Sequence, residues 1–174
     1  MPTRHCLTLC FALCACLNAW ANEDREVSES VIHAGIEEVW AAFTTTEGLQ
    51  SWVSPIADID FRVGGKWRVN YNPEGTLGDD NTIENTILSY DPKRMLSLKA
   101  TGFPAGFEFA EAAAKTWSVF YFKSLTEDTT SVTIVGLGYD DTEASQKMRS
   151  FFESANAYSM GQLNAALSPD NPRP

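Results

Sequence analysis

The stretch "DFRVGGKWRV", residues 60–69, sets two adjacent glycines between segments that alternate like β-strand. A phosphate-binding loop leads from a strand into a helix, so that backbone N–H groups and the helix dipole face the anion. Here the glycines lead into "KWRVNY", residues 66–71, which alternates again. That context excludes a nucleotide cradle and leaves a corner in a sheet. Parity sharpens the reading. Ile59, Phe61 and Val63 form the apolar set before the corner, and Trp67, Val69 and Tyr71 the set after it. A two-residue Gly64–Gly65 loop would put the two sets on opposite faces, whereas an odd loop keeps them together. The simplest odd loop is a bulged turn, Val63-Gly64-Gly65, with Gly65 left-handed. It places Phe61 beside Trp67 and Ile59 beside Val69, giving one aromatic face.

Before the corner, "REVSESVIHA" (25–34) alternates as a strand, with Val27, Val31 and His33 on one parity. "IEEVWAAF" turns helical, because Ile36, Val39, Trp40 and Phe43 recur at helical spacing. A second short helix, capped by Thr45 or Thr46, ends before Pro55. From Ile56 to Gly138 the texture is β, with turn residues separating "IADIDFRV", "KWRVNY", "TIENTILSY", "RMLSLKA", "TWSVFYFKS" and "SVTIVGLGY". This is the pattern of an antiparallel meander. Residues 101–115, "TGFPAGFEFAEAAAK", are too long for a hairpin turn and end in a strong helix former, so they are read as a loop with a short helix over an edge or opening. A long helix over 142–167 closes the chain, with Asp140 and Asp141 at its start and Pro169 as its stop. Its stripe comprises Ala144, Met148, Phe151, Phe152, Ala155, Tyr158, Ser159, Leu163, Ala166 and Leu167. At ~1.5 Å per residue it spans about 40 Å, enough to cross a whole sheet.

Residues 1–21 read as a secretory signal peptide: Arg4, an apolar run from Cys6 to Leu17, then Ala19-Trp20-Ala21 as a small-x-small cleavage site. The run is too short to span a membrane, which takes ~20 apolar residues. Acylation at Cys16 is the alternative fate of the leader. Residues 22–174 then form one domain, with a core from about 26 to 167. The expected location is the periplasm or the outside of the cell. Cys6, Cys10, Cys14 and Cys16 all lie in the leader, so the domain carries no disulfide or thiol chemistry. The whole chain has 13 Lys+Arg against 23 Asp+Glu, net −10, and losing Arg4 with the leader makes it −11. Such a surface repels nucleic acid and anionic lipid at long range.

His33 is the only histidine after the leader and is read as a strand-end residue; with no cysteine beside it, a zinc site lacks its preferred ligands. "GDDN" (78–81) and "YDD" (139–141) read as a turn and a helix cap, because neither has the alternating ligands and distant Glu of a calcium loop. No metal and no cofactor are expected. Asp58 and Asp60 face away from Phe61, toward solvent.

The order of elements is that of a helix-grip α+β fold: a curved antiparallel sheet wrapped around a long C-terminal helix, with two short helices after the first strand. "VIHAGIEEVWAAFTTTEGLQSWV", "DFRVGGKWRV", "ILSYDPKRMLSL" and "SVTIVGLGYDD" resemble the SRPBCC superfamily, in the branch named after the activator of the heat-shock chaperone ATPase. The hallmarks are Val39-Trp40, Trp52, the corner Arg62-x-Gly64-Gly65, and Asp91-Pro92. A late Gly-Trp of that branch is replaced by Ala157-Tyr158, and no catalytic motif matches residue by residue. The resemblance, which extends to START lipid-transfer domains, pollen allergens and polyketide cyclases, implies a cavity between sheet and terminal helix.

The expected function is therefore non-enzymatic binding of a hydrophobic or aromatic small molecule or lipid. The residues expected to hold it are Trp52, Phe61, Trp67, Val69, Tyr71, Phe107, Trp117, Tyr121, Met148 and Phe152. One alternative is a cyclase- or hydrolase-type enzyme using Glu84 or Glu108 with Tyr71 or Tyr121, with Glu111 also near the lid. Another is a co-chaperone-like interaction module with a solid interior. Export predicts a processed chain beginning at Asn22, and intact mass of protein recovered from its host checks this. A mass retaining residues 1–21 would refute it.

Overall fold

The computed structural model describes residues 25–168. The leader with its cleavage after Ala21, Cys16 and the Pro169 stop lie outside the described residues. In chain order the elements are β1 (Arg25–Ile32), α1 (Ile36–Thr44), α2 (Thr46–Trp52), β2 (Ile56–Ile59), β3 (Lys66–Asn70), β4 (Ile83–Asp91), β5 (Met95–Gly102), α3 (Ala110–Ala113), β6 (Trp117–Thr126), β7 (Thr129–Leu137) and α4 (Glu143–Ala166). The strands form one antiparallel sheet in the order β1-β7-β6-β5-β4-β3-β2. The helix-grip expectation holds: the sheet's inner face packs on α1, α2 and α4.

The glycine pair makes a corner, in a different register from the one parity alone predicts. Ile59 lies opposite Trp67 and Ala57 opposite Val69, so the pairing is displaced by two residues and the inward face is preserved. Gly64, not Gly65, is left-handed, with φ 80°. Gly65 is needed for space, since a Cβ there would lie 1.9 Å from the Asp60 carbonyl oxygen. The loop is longer than a bulged turn because Phe61 leaves the sheet, packing on Trp40 and Tyr90 with ring centroids at 5.8 and 4.5 Å. Gly64 N–H donates to Ile87 O (2.8 Å), and Ile87 N–H donates to Gly65 O (3.0 Å). The corner is thereby fastened to the middle of β4, which carries a register shift between Ile87 and Ser89 and another between Glu84 and Asn85. Such irregularities bend a strand and raise its twist.

Two further elements differ from expectation. On β1 the Val27–Val31 parity faces outward, at 51% and 48% exposure, and it is Glu26 and Ile32 that turn inward. On α4 the cap is Thr142, whose hydroxyl accepts from Ser145 N–H (3.3 Å), while Asp140 accepts from Thr142 N–H (3.1 Å) and supports the cap from outside. The helix's buried residues are Ser145, Met148, Met160 and Leu163, whereas Ala144 and Tyr158 are exposed. Most of the stripe keeps its phase, with Met148, Leu163 and Leu167 buried and Phe152, Ala155, Ser159 and Ala166 half-buried.

The main core gathers Ile32, Val39, Phe43, Phe122, Leu163 and Leu167 with Trp40 and Trp52 against it. It fills the space between the sheet and the C-terminal half of α4. The "GDDN" segment is a turn, where Asp79 accepts from Thr76 N–H (3.0 Å), Asn81 N–H (2.9 Å) and the buried Asn70 amide (2.7 Å). These donors, Thr76 first, hold its carboxyl below the usual range. The 101–115 insertion places α3 and its phenylalanines against α4, as a lid.

The two glycines fail for different reasons, which gives a measurable contrast. Gly64→Ala meets no atom within 4 Å and should cost only the left-handed backbone penalty, about 1–2 kcal/mol. Gly65→Ala must displace backbone and should cost about 3 kcal/mol or more. Urea unfolding of both variants checks the order.

Candidate functional site

Beside the filled core, the middle of α4, from Phe151 to Met160, bridges a hollow. The cavity measures about 310 Å³. Its floor is the inner face of β3 to β7, with Trp67, Val69, Asn85, Leu98, Phe120 and Ile134 among its walls. Phe152, Ala155, Asn156 and Ser159 of α4 face it, and Phe103 and Phe107 of the insertion cover it. Small residues at 155 and 159 on a helix otherwise anchored by Met160 and Leu163 keep the space open. Rings link lid and helix: Phe103 stacks on Phe107 (5.9 Å), Phe107 meets Phe109 (5.7 Å), Phe109 meets Phe151 (5.7 Å) and Phe151 meets Phe152 (5.4 Å).

Of the residues singled out from sequence, Trp52, Trp67, Val69, Tyr71, Phe107, Trp117 and Phe152 come together on the cavity lining. Tyr71, at 61% exposure, stands at the rim. Phe61, Tyr121 and Met148 are placed elsewhere. Phe61 packs in the corner, and Tyr121, opposite Thr133 on the sheet's outer face, is 50% exposed. Met148 is wholly buried under the lid with Ala113 and Tyr139. Nor do the carboxylates proposed for catalysis reach the cavity: Glu84 pairs with Lys66 (2.6 Å) on the outer face, and Glu108 and Glu111 are exposed. His33 is a strand-end residue whose backbone N–H donates to Asn164 Oδ1 (2.9 Å). Asp58 is held by Arg68 at 2.8 Å on the outer face.

The carboxylate that does line the cavity is Glu26, which sequence reading missed. It is 5% exposed and lies opposite Gly136 across the β1–β7 ladder. Its Oε2 accepts from Asn156 Nδ2 (3.2 Å), whereas Oε1 has no hydrogen-bond partner. Burial, with Glu153 as a nearby like charge, pushes its pKa up; the Ser28 hydroxyl, short of hydrogen-bond geometry, the Asn156 amide and the Arg149 charge pull the other way. Tyr139 lies over Gly136, and burial first and Glu26 second push its phenol up to about 12. One signal could have exposed Glu26: it shares parity with Ile32, the most buried residue of β1. Reading the strand through its valines hid that. Among the described residues no three metal-ligating side chains converge, and no helix is long and apolar enough to cross a membrane.

The profile of the family described as "Activator of Hsp90 ATPase homolog 1-like protein" matches residues 33–168. Among solved structures, the Aha1 dimer from Colwellia psychrerythraea superposes with a TM-score of 0.64 at 18% identity, over 83% of this chain and 96% of that one. A protein from Mesorhizobium loti gives 0.62 at 16% identity, over 82% and 96%. One from Bacillus halodurans gives 0.60 at 19%, over 83% and 99%. Among curated proteins, none matches the chain.

A buried carboxyl with a raised pKa makes folding pH-dependent. The stability that comes with its protonated form is complete below the ordinary value of 4.5 and is lost as pH rises through the higher folded value. Glu26→Gln should therefore be more stable than the wild type at neutral pH, by about 1 kcal/mol or more. The gap should close in acid, which thermal melts of both proteins across pH will check.

Proposed function

This chain belongs to the Activator of Hsp90 ATPase homolog 1-like family, and we propose that it is an exported, non-enzymatic member that holds a hydrophobic or aromatic small molecule, or a lipid, between the sheet and α4. The observation that carries this reading is the cavity of about 310 Å³ walled by aromatic and aliphatic side chains. Its size lies at the small end of ligand sites, which run to ~300–1,000 Å³, and such sites combine apolar walls with few polar groups. A guest losing about 200 Å² of apolar surface to these walls would gain about 5 kcal/mol gross, at about 25 cal/mol per Å², before the costs of association. The rim residues Tyr71, Trp117 and Phe151 put exposed rings at the mouth, a route for an apolar guest.

Export, read from the leader, argues against a co-chaperone role, since it separates the chain from a cytosolic partner. The hollow argues against a purely structural interaction module, which needs no unfilled interior.

Native mass spectrometry of protein purified from its own host should show a co-purifying small molecule. Ala100→Phe, which fills the cavity from β5, should remove the adduct and leave the fold intact. A bare wild-type mass, together with no binding of naphthalene as an apolar probe, would sink the proposal.

A further inference from the structure

The cavity is apolar except at a few points, and two of these are unsatisfied. Glu26 Oε1 and the Trp67 indole Nε1 both belong to lining residues, both are shielded from water, and neither has a hydrogen-bond partner. Ser28 Oγ, close to Glu26, is a third orphan. Buried polar groups in folded proteins are nearly always paired, and each one left alone costs stability. Glu26 is on the edge strand β1 and Trp67 on β3, five strands across the sheet, so no single packing defect accounts for both.

The carboxyl is also well positioned to receive a partner. Asn156 on α4 holds Oε2 and leaves Oε1 with only the Ser28 hydroxyl nearby, short of hydrogen-bond geometry. Gly136 opposite supplies no side chain, and the Tyr139 ring fills that side. The titratable groups around Glu26 are Tyr139 after β7 and Arg149 and Glu153 on α4.

We propose that Glu26 is the polar anchor of the cavity and that the guest it selects is an apolar or aromatic body carrying a hydroxyl. A hydroxyl both donates and accepts, so it satisfies Oε1 whether the carboxyl is ionised or protonated. The ionised carboxyl repels an anionic guest, so a free carboxylate is excluded from the same space. This inference rests on the cavity being a binding site, and its failure is separable from the failure of that reading.

Three probes of one ring system separate the cases: naphthol, naphthalene and naphthoate, titrated at neutral pH while following the tryptophan indole N–H resonances. Wild type should bind naphthol at least about tenfold more tightly than naphthalene, the range of a hydrogen bond to a charged group, and should not saturate with naphthoate. Glu26→Leu should bind naphthol and naphthalene equally. Glu26→Gln, which keeps an acceptor and drops the charge, should retain the naphthol preference and admit naphthoate. Equal binding of naphthol and naphthalene by wild type, or a preference that survives in Glu26→Leu, overturns the anchor and leaves the cavity reading intact. If Glu26→Leu does not fold, Glu26→Gln decides alone, and continued exclusion of naphthoate by it overturns the anchor. Binding of none of the three by wild type removes both readings together.

Discussion

Ile87 is gripped from both sides by the glycine corner: it accepts from Gly64 N–H and donates to Gly65 O. Those two hydrogen bonds extend the sheet's bonding through a loop that would otherwise hang free, at the place where β4 is already irregular. The bond geometry admits no side chain at Gly65, because the Asp60 carbonyl occupies its position. A sheet bent there cannot lie flush along a straight helix of 24 residues. The C-terminal end of α4 meets the sheet through Met160, Leu163 and Leu167 and its first turns pack through Met148, while the middle of the helix faces the hollow. Interiors pack to crystal-like density where they can, so a hollow of this size follows from the curvature and from the small residues opposite it.

Much of this was legible from local pattern. The corner's parity, the two short helices, the meander and the long last helix all follow from periodicity and turn chemistry, which depend on near neighbours in sequence. The corner's register was not legible, because Phe61 leaves the sheet for Trp40 and Tyr90, partners roughly twenty and thirty positions away. The phase of α4 was legible apart from its edge, since Met148, Leu163 and Leu167 are buried where the stripe puts them. Where the helix faces the cavity, alanine, asparagine and serine join Phe152 on its inner side, and hydrophobicity alone does not single them out. Tyr158 looked like core and is solvent-facing.

The site divides in the same way. Apolar residues on one strand parity, such as Trp67 and Val69, were found because alternation on β3 is clean. Phe107 was found because an insertion rich in phenylalanine has little reason to exist in solvent. Glu26 escaped because apolar residues on β1 sit on its outer face, so the usual inference from hydrophobicity to burial points the wrong way. An edge strand packed against a polar stretch of helix obeys alternation and inverts its meaning. The ladder partner, Gly136, and the ring of Tyr139 above it mark the inward face that Glu26 shares with Ile32.

The closeness of Gly136 to Tyr139 also bears on how such a pocket diversifies. A Cβ at position 136 would come within 3.0 Å of the Tyr139 ring, and that ring walls one side of Glu26. The three positions sit on two strands and a connecting loop, yet sterically they are one unit. A lineage adding a side chain at 136 would have to alter Tyr139 in concert, whereas the charge at Glu26 can be lost in a single step.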